Sequence, residues 1–394
     1  MKKLFQFFKS LFILTWIVFF ICTTAFTQFT VKLSIKNYPA LHAGDSIFIA
    51  GNFNQWNPKS LPHYFNLKDK LLYVELKNIA TNFYEYKLTR GSWEAVEANI
   101  DGTSVENRQL HLVSDTTIEL SIAAWQNDFA KPVKNHTQSV HVSLMDSAFK
   151  MPQLSRTRKI WLYLPEGYAN NKKKYPVLYM QDGQNIFDNY TSGYGEWGVD
   201  ECLDSLIKNG RQPCIVVGIE SDAHRMNEYN PCNHVEFGKG EGKQYVDFIA
   251  TTLKPFVDMQ YRTLPEKENT IIAGSSMGGL ISYYAMLKYP FIFGKAGIFS
   301  PSFWAADTID QFTDSLAGKL NGKMFFYVGE YEGKEMVTDM MRFQEKVGKN
   351  SSAMIYSVID KEGQHNEATW QKWFPEFYKW IMAAGFNIIT KIEN

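Results

Sequence analysis

Two rhythms in the sequence predict a small all-β sandwich followed by a mostly parallel α/β domain. From about residue 28 to 120, short runs such as TVKLSI (30–35) and LLYVEL (71–76) alternate apolar with polar residues between Gly, Asn and Pro breakers. That spacing is the mark of an immunoglobulin-like stack of short strands. Beyond residue 159, continuous apolar runs alternate with stretches of helical period, as expected for a sheet buried on both faces. Between the two lies a polar stretch, QNDFAKPVKNHTQ (126–138), with no period at all.

The expected organisation is therefore a sandwich over 28–125, a linker over 126–140 and an α/β domain over 141–394. Strands of the second domain are expected at 159–164, 177–180, 215–219, 270–273, 296–299, 324–328 and 354–358. Within 242–256, Tyr245, Ile249, Leu253 and Phe256 recur at helical spacing and give one apolar face. At the start of the chain, Lys2, Lys3 and Lys9 precede an apolar run over 11–22 and then the small or polar Thr23, Thr24 and Ala25. This layout predicts a signal peptide over 1–27 and a secreted or periplasmic protein. The run falls short of the roughly 18 apolar residues that span a bilayer, so no stable membrane anchor is expected.

Composition narrows the partners. The 394 residues are 45% hydrophobic and 21% charged, the balance of an ordinary globular chain. Lys+Arg and Asp+Glu both number 41, so there is no basic field to hold nucleic acid. Loss of the leader, which carries Cys22, leaves Cys202, Cys214 and Cys232, among which one disulfide is possible. No Cys/His spacing points to a metal, and no cofactor is implied.

The chemistry is carried by Gly274-Ser275-Ser276-Met277-Gly278. An apolar strand (270–273) precedes it, and a helical face of Leu280, Ile281, Tyr284 and Leu287 follows, which is the strand, sharp turn and helix of an α/β-hydrolase nucleophile elbow. Ser276 is the expected nucleophile, and the Met277 amide, at the helix N-terminus, an oxyanion donor. A serine hydroxyl needs a base, and His365 is the histidine placed for it, after the strand at 354–358 and before a helix bearing Trp370, Trp373, Phe377 and Trp380. The other histidines precede the α/β domain's first strand or lie in the insertion after Ile219. The acid is expected after the strand at 324–328, where Glu330 and Glu332 compete. A second oxyanion donor is expected from Gly183 or Gln184, in the loop after the strand at 177–180.

The segments YPVLYMQDGQN (175–185), EWGVD (196–200), RMNEY (225–229), YRT (261–263), the elbow, and GQHNE (363–367) resemble an esterase family. It includes feruloyl and acetylxylan esterases, enterochelin esterases and S-formylglutathione hydrolases. The resemblance covers about 151–381 and implies a Gly-x-x-acid step, which selects Glu332. Gln181 departs from the family, whose members often carry His before Asp-Gly. The first domain resembles a starch- or glycogen-binding module in GNFNQWNP (51–58), YEYK (84–87) and Asn107-Arg108. That resemblance implies sugar contacts from Trp56, Lys87 and Asn107, with Trp93 as a second platform.

Together these readings predict an exported serine carboxylic-ester hydrolase acting on an acylated carbohydrate, with possible polysaccharide binding by the first domain. Siderophore ester cleavage and acyl transfer are the alternatives, and a non-catalytic glycan-binding protein is a reading of a different class.

Overall fold

The computed structural model describes residues 28–54, 56–68, 71–80, 82–130, 134–235, 237–383 and 389–393, so the expected signal peptide lies outside the described residues. Among the described residues no helix is long and apolar enough to cross a membrane. The chain divides into two compact units, one ending at Val133 and the other beginning at Lys134.

The first unit is all-β. Strands β1 (Gln28–Asn37), β3 (Asn66–Lys68), β4 (Leu71–Ala80) and β8 (Thr116–Ser121) form one sheet in the order β3-β4-β1-β8. A second sheet has the order β2-β5-β7, from Phe48–Gly51, Asn82–Thr89 and Arg108–Leu112. Both contribute to one core: Val31, Leu33, Ile35 and Val74 come from the first sheet, and Ile49, Tyr86, Leu88 and Leu112 from the second. The period of two explains this, because alternate residues of each strand face inward. A small pair, β6 (Glu97–Ala98) with β9 (Ala124–Trp125), closes the unit over the fully buried Trp125.

The second unit is a nine-stranded sheet in the order β10-β11-β13-β12-β14-β15-β16-β17-β18. Its strands are β10 (Val142–Met151), β11 (Arg156–Tyr163), β12 (Val177–Gln181), β13 (Ile215–Ile219), β14 (Thr270–Ser275), β15 (Lys295–Phe299), β16 (Lys323–Gly329), β17 (Met354–Asp360) and β18 (Ile389–Glu393). From β13 to β18 every pairing is parallel, while β10, β11 and β13 pair antiparallel. Helices α1 (Val199–Lys208) and α8 (Glu367–Met382) cover one face. The other carries α3 (Gly242–Phe248), α4 (Lys254–Gln260), α5 (Met277–Lys288), α6 (Ile309–Leu316) and α7 (Lys334–Asn350), and the short α2 (Arg225–Glu228) lies in the insertion. Leu178 and Met180 pack into the first layer and Val177 and Tyr179 into the second, so β12 is apolar throughout.

Three expectations change. Strands β10 and β18 were not legible, and β10 shows why: it is an edge strand whose outward residues are mostly polar, leaving no apolar run. The stretch 134–140 is not free linker, because Thr137 N–H donates to Asp188 Oδ1 (3.0 Å) and Ser139 N–H to Asp200 Oδ2 (2.5 Å), tying it to the second unit. Cys202, Cys214 and Cys232 are all free thiols. Cys214 is sealed in the core, where burial pushes its thiol up to about 12, and Cys232 Sγ accepts the Thr308 hydroxyl instead of facing another cysteine.

Candidate active site

The site residues stand at the C-terminal ends of β12, β14, β15, β16 and β17, and strand order reverses about β12. Ser276 is held at φ 58°, ψ −124°, a region that favours glycine and costs a side-chain-bearing residue about 1–3 kcal/mol. Backbone bonds fix it there: Ser276 N–H donates to Phe299 O (2.9 Å), while Ser276 O accepts from Leu280 N–H (3.0 Å) and Ser302 N–H (3.1 Å). The turn closes only because Gly274 is bare, since a Cβ there would stand 2.8 Å from the Gly278 carbonyl. Met277 is the first residue of α5, and its amide is among those left without an intrahelical acceptor. The turn therefore presents a hydroxyl and a helix N-terminus at the same place.

The structure brings Glu332, not Glu330, to His365: His365 Nδ1 lies 2.6 Å from Glu332 Oε2. The Glu332 side chain is only 1% exposed and that of His365 38%, so the carboxylate is sealed and the imidazole is accessible. The other carboxylate oxygen accepts from Gly329 N–H (2.7 Å) and from the Ser300 hydroxyl (2.6 Å). Ser300 in turn accepts Trp370 Nε1–H (2.9 Å), and the Trp370 ring meets His365 edge to face at 5.2 Å. With two donors of its own, the carboxylate has one geometry to offer the imidazole. The Ser276 hydroxyl contacts Ser302 Oγ (3.2 Å), and among the described residues no hydrogen bond joins it to His365. Such bonds are often long until substrate is bound.

On the far side of the elbow, Gly183 and Gln184 open the short helical turn after β12. Gly183 lies directly on β13, where a Cβ would meet the Gly218 carbonyl carbon at 2.7 Å. Asp182, at φ 55°, aims this turn and is clamped bidentately by Arg225, with Nε at 2.7 Å from Oδ1 and Nη2 at 2.8 Å from Oδ2. Arg225 is anchored through α2, whose fully buried Glu228 receives Arg156 (2.8 Å) and Arg158 (2.7 Å) from β11. The insertion thus supports the turn that carries Gly183 and Gln184. Its Phe237 also meets Trp304, which is 53% exposed two residues beyond Ser302, at 6.1 Å. Gln181 points away into the core, accepting the Tyr245 hydroxyl (2.6 Å).

Sequence reasoning missed Ser300, Ser302 and Glu367. The first two follow the apolar β15 as a polar pair at a strand's C-terminal end, a signal of position that the sequence does carry. Glu367 is 7% exposed and receives Asn185 Nδ2 (3.3 Å). Burial, with the Asp182 charge adding to it, raises its carboxyl above the ordinary range, against opposing pull from His365 and Arg225.

In the first unit Trp56 and Trp93 stand together, ring centroids 6.2 Å apart, and Trp93 is 41% exposed, so neither is part of the core. Lys87 projects from the outer face of β5 beside Glu85, and Asn107 Nδ2 donates to Glu85 Oε2 (3.2 Å).

The sequence profile of the family described as "Putative esterase" matches residues 152–381. The chain is 31% identical over 241 residues to YbbA of Bacillus subtilis, a match covering 57% of this chain and 92% of that protein. To an endo-1,4-beta-xylanase/feruloyl esterase of Xylanibacter ruminicola it is 26% identical over 241 residues, which is 59% of this chain and 30% of that protein. The crystal structure of the enterobactin esterase FES from Shigella flexneri with enterobactin covers 85% of this chain and 87% of its own, at 14% identity and a TM-score of 0.50, a likeness of fold. The family match spans more than half of the chain. This chain therefore belongs to the putative esterase family and is a carboxylic ester hydrolase.

Proposed function

We propose that this esterase is an exported serine hydrolase that works through an acyl-enzyme on acylated carbohydrates, such as feruloyl or acetyl esters of a polysaccharide. The observations that carry the reading are the strained Ser276 elbow and a His365 imidazole whose Nδ1 is engaged by a sealed glutamate. That engagement leaves Nε2 as the basic nitrogen.

Ser276 Oγ attacks the ester carbonyl carbon while its proton passes to His365 Nε2, and Glu332 stabilises the resulting imidazolium. The carbonyl oxygen becomes an oxyanion held by the Met277 amide and by that of Gly183 or Gln184. Collapse breaks the carbon–oxygen bond to the alcohol, which leaves with the proton from His365. Water then attacks the acyl-enzyme, with His365 again taking a proton, and the acid is released.

The carbohydrate reading is supported by the feruloyl esterase relative and by the Trp56–Trp93 pair in the first unit. A second reading, siderophore ester cleavage, is favoured by an iron(III) salmochelin esterase of Escherichia coli, 28% identical over 152 residues, which are 38% of this chain and 33% of that protein. Ser276→Ala is expected to lower kcat on an aryl ester by about 10⁴- to 10⁶-fold and to abolish fluorophosphonate labelling. An active variant would refute the nucleophile. Parallel assays on feruloylated arabinoxylan, acetylated xylan and a catecholate trilactone decide the substrate class.

A further inference from the structure

Away from the elbow, three carboxylates meet where the loop after β12 enters α1. Ligand oxygens of Glu196, Asp200 and Glu201 all lie within 4.8 Å of one another. Among the described residues, none of the three forms an ion pair with Lys, Arg or His. Two of them keep a buried oxygen with no hydrogen-bond partner. Asp200 is fully buried, and its Oδ1 is unpaired while Oδ2 accepts Ser139 N–H. Glu196 Oε1 is unpaired while Oε2 accepts the Thr137 hydroxyl (2.7 Å). A buried anionic oxygen with nothing opposite it is costly, and two in one cluster mark a place where a cation would be stabilised.

A second acidic group nearby shows the contrast. Asp222, His224 and Glu228 also converge, but Arg156 and Arg158 already neutralise Glu228, and Arg158 reaches Asp222 at 2.5 Å. That cluster is complete with its own arginines. The one at α1 has no such partner.

We propose that Glu196, Asp200 and Glu201 form a structural calcium site that fastens residues 137–139 and the loop after β12 to the start of α1. The donors are all hard oxygens, the set that suits calcium and not a thiolate- or imidazole-seeking metal. The cluster is continuous with the chemistry. Trp197, between Glu196 and Asp200, donates its backbone N–H to Asn185 O (2.9 Å), and Asn185 Nδ2 reaches Glu367, two residues beyond His365. The ester reaction needs no metal, so the ion's role is to hold the wall that carries Gly183 and Gln184.

The test uses the full chain. Terbium is added and its emission read with tryptophan excitation, since Trp197 adjoins the site, and calcium is then titrated in to displace it. Melting temperature is measured in EDTA and in calcium. The proposal expects sensitised emission lost to calcium and not to equimolar magnesium. It also expects a rise in Tm of about 3–8 °C at roughly a hundredfold excess over Kd. Glu201→Gln, at an exposed position, should weaken calcium binding at least about tenfold with the fold intact, and Asp200→Asn should abolish it. If wild type shows no displaceable emission and no calcium-dependent shift, or if Glu201→Gln shifts as wild type does, the site is refuted and the cluster is a pair of carboxyls sharing protons.

Discussion

Two carboxylates flank the elbow, and each is engaged by a cationic or basic side chain. Glu332 is engaged with His365 and is fixed by a backbone amide and a serine hydroxyl. Asp182 is gripped by both nitrogens of the Arg225 fork. The partners make the difference. In the proposed reaction His365 takes and returns a proton, so the Glu332 pair has a state that changes during turnover. Arginine keeps its charge throughout, so the Asp182 pair can only hold a shape. On the proposed mechanism one carboxylate orients a proton carrier, and the other holds a backbone turn.

The largest effect that separates the two roles is expected at Glu332. Replacement by Gln keeps the volume but removes the charge that stabilises the imidazolium, and kcat should fall by about 10³- to 10⁴-fold with little change in KM. Pre-steady-state acylation of Ser276 measures this directly. A fall below tenfold would make Glu332 a mere support.

Arg225→Met should cost less, about 10- to 100-fold in kcat, because it loosens the turn bearing one oxyanion donor and leaves the Met277 amide in place. Affinity for a boronate transition-state analogue should drop in proportion to kcat, while affinity for the product acid stays within about threefold. Equal losses for both ligands would show that Arg225 contacts substrate instead.

Ser300→Ala removes the bridge between Trp370 and Glu332. It leaves the buried indole N–H unpaired and should destabilise the protein by about 1–3 kcal/mol in urea unfolding, with a fall in kcat of only a few fold. Trp93→Ala should leave aryl-ester hydrolysis unchanged and reduce retention on insoluble starch. Unchanged retention would remove the sugar-platform reading of the first unit.

What was legible follows the range of the interactions. Seven strands of the second unit stood out because buried parallel strands are apolar on both faces, and β13 spans the expected residues. β10 was lost in its polar outward face. Ser276 and Met277 were readable together because the elbow is one short segment whose glycines are forced by close backbone approach. Position gave Glu332 only a slight edge over Glu330, since both sit in the same short helical turn after β16. Family resemblance favoured Glu332, and the fold carries that residue to His365.

By itself, then, the sequence determined the two rhythms, the elbow and the order of serine, acid and histidine, all of which depend on neighbours along the chain. Only the tertiary structure decided that Ser300 and Trp370 buttress Glu332, that Arg225 grips Asp182 across 43 residues, and that Glu196, Asp200 and Glu201 share one unneutralised pocket. These are contacts between residues remote in sequence or turned together by a helix start. Their pairing depends on where a sheet places its strand ends, which no local pattern encodes.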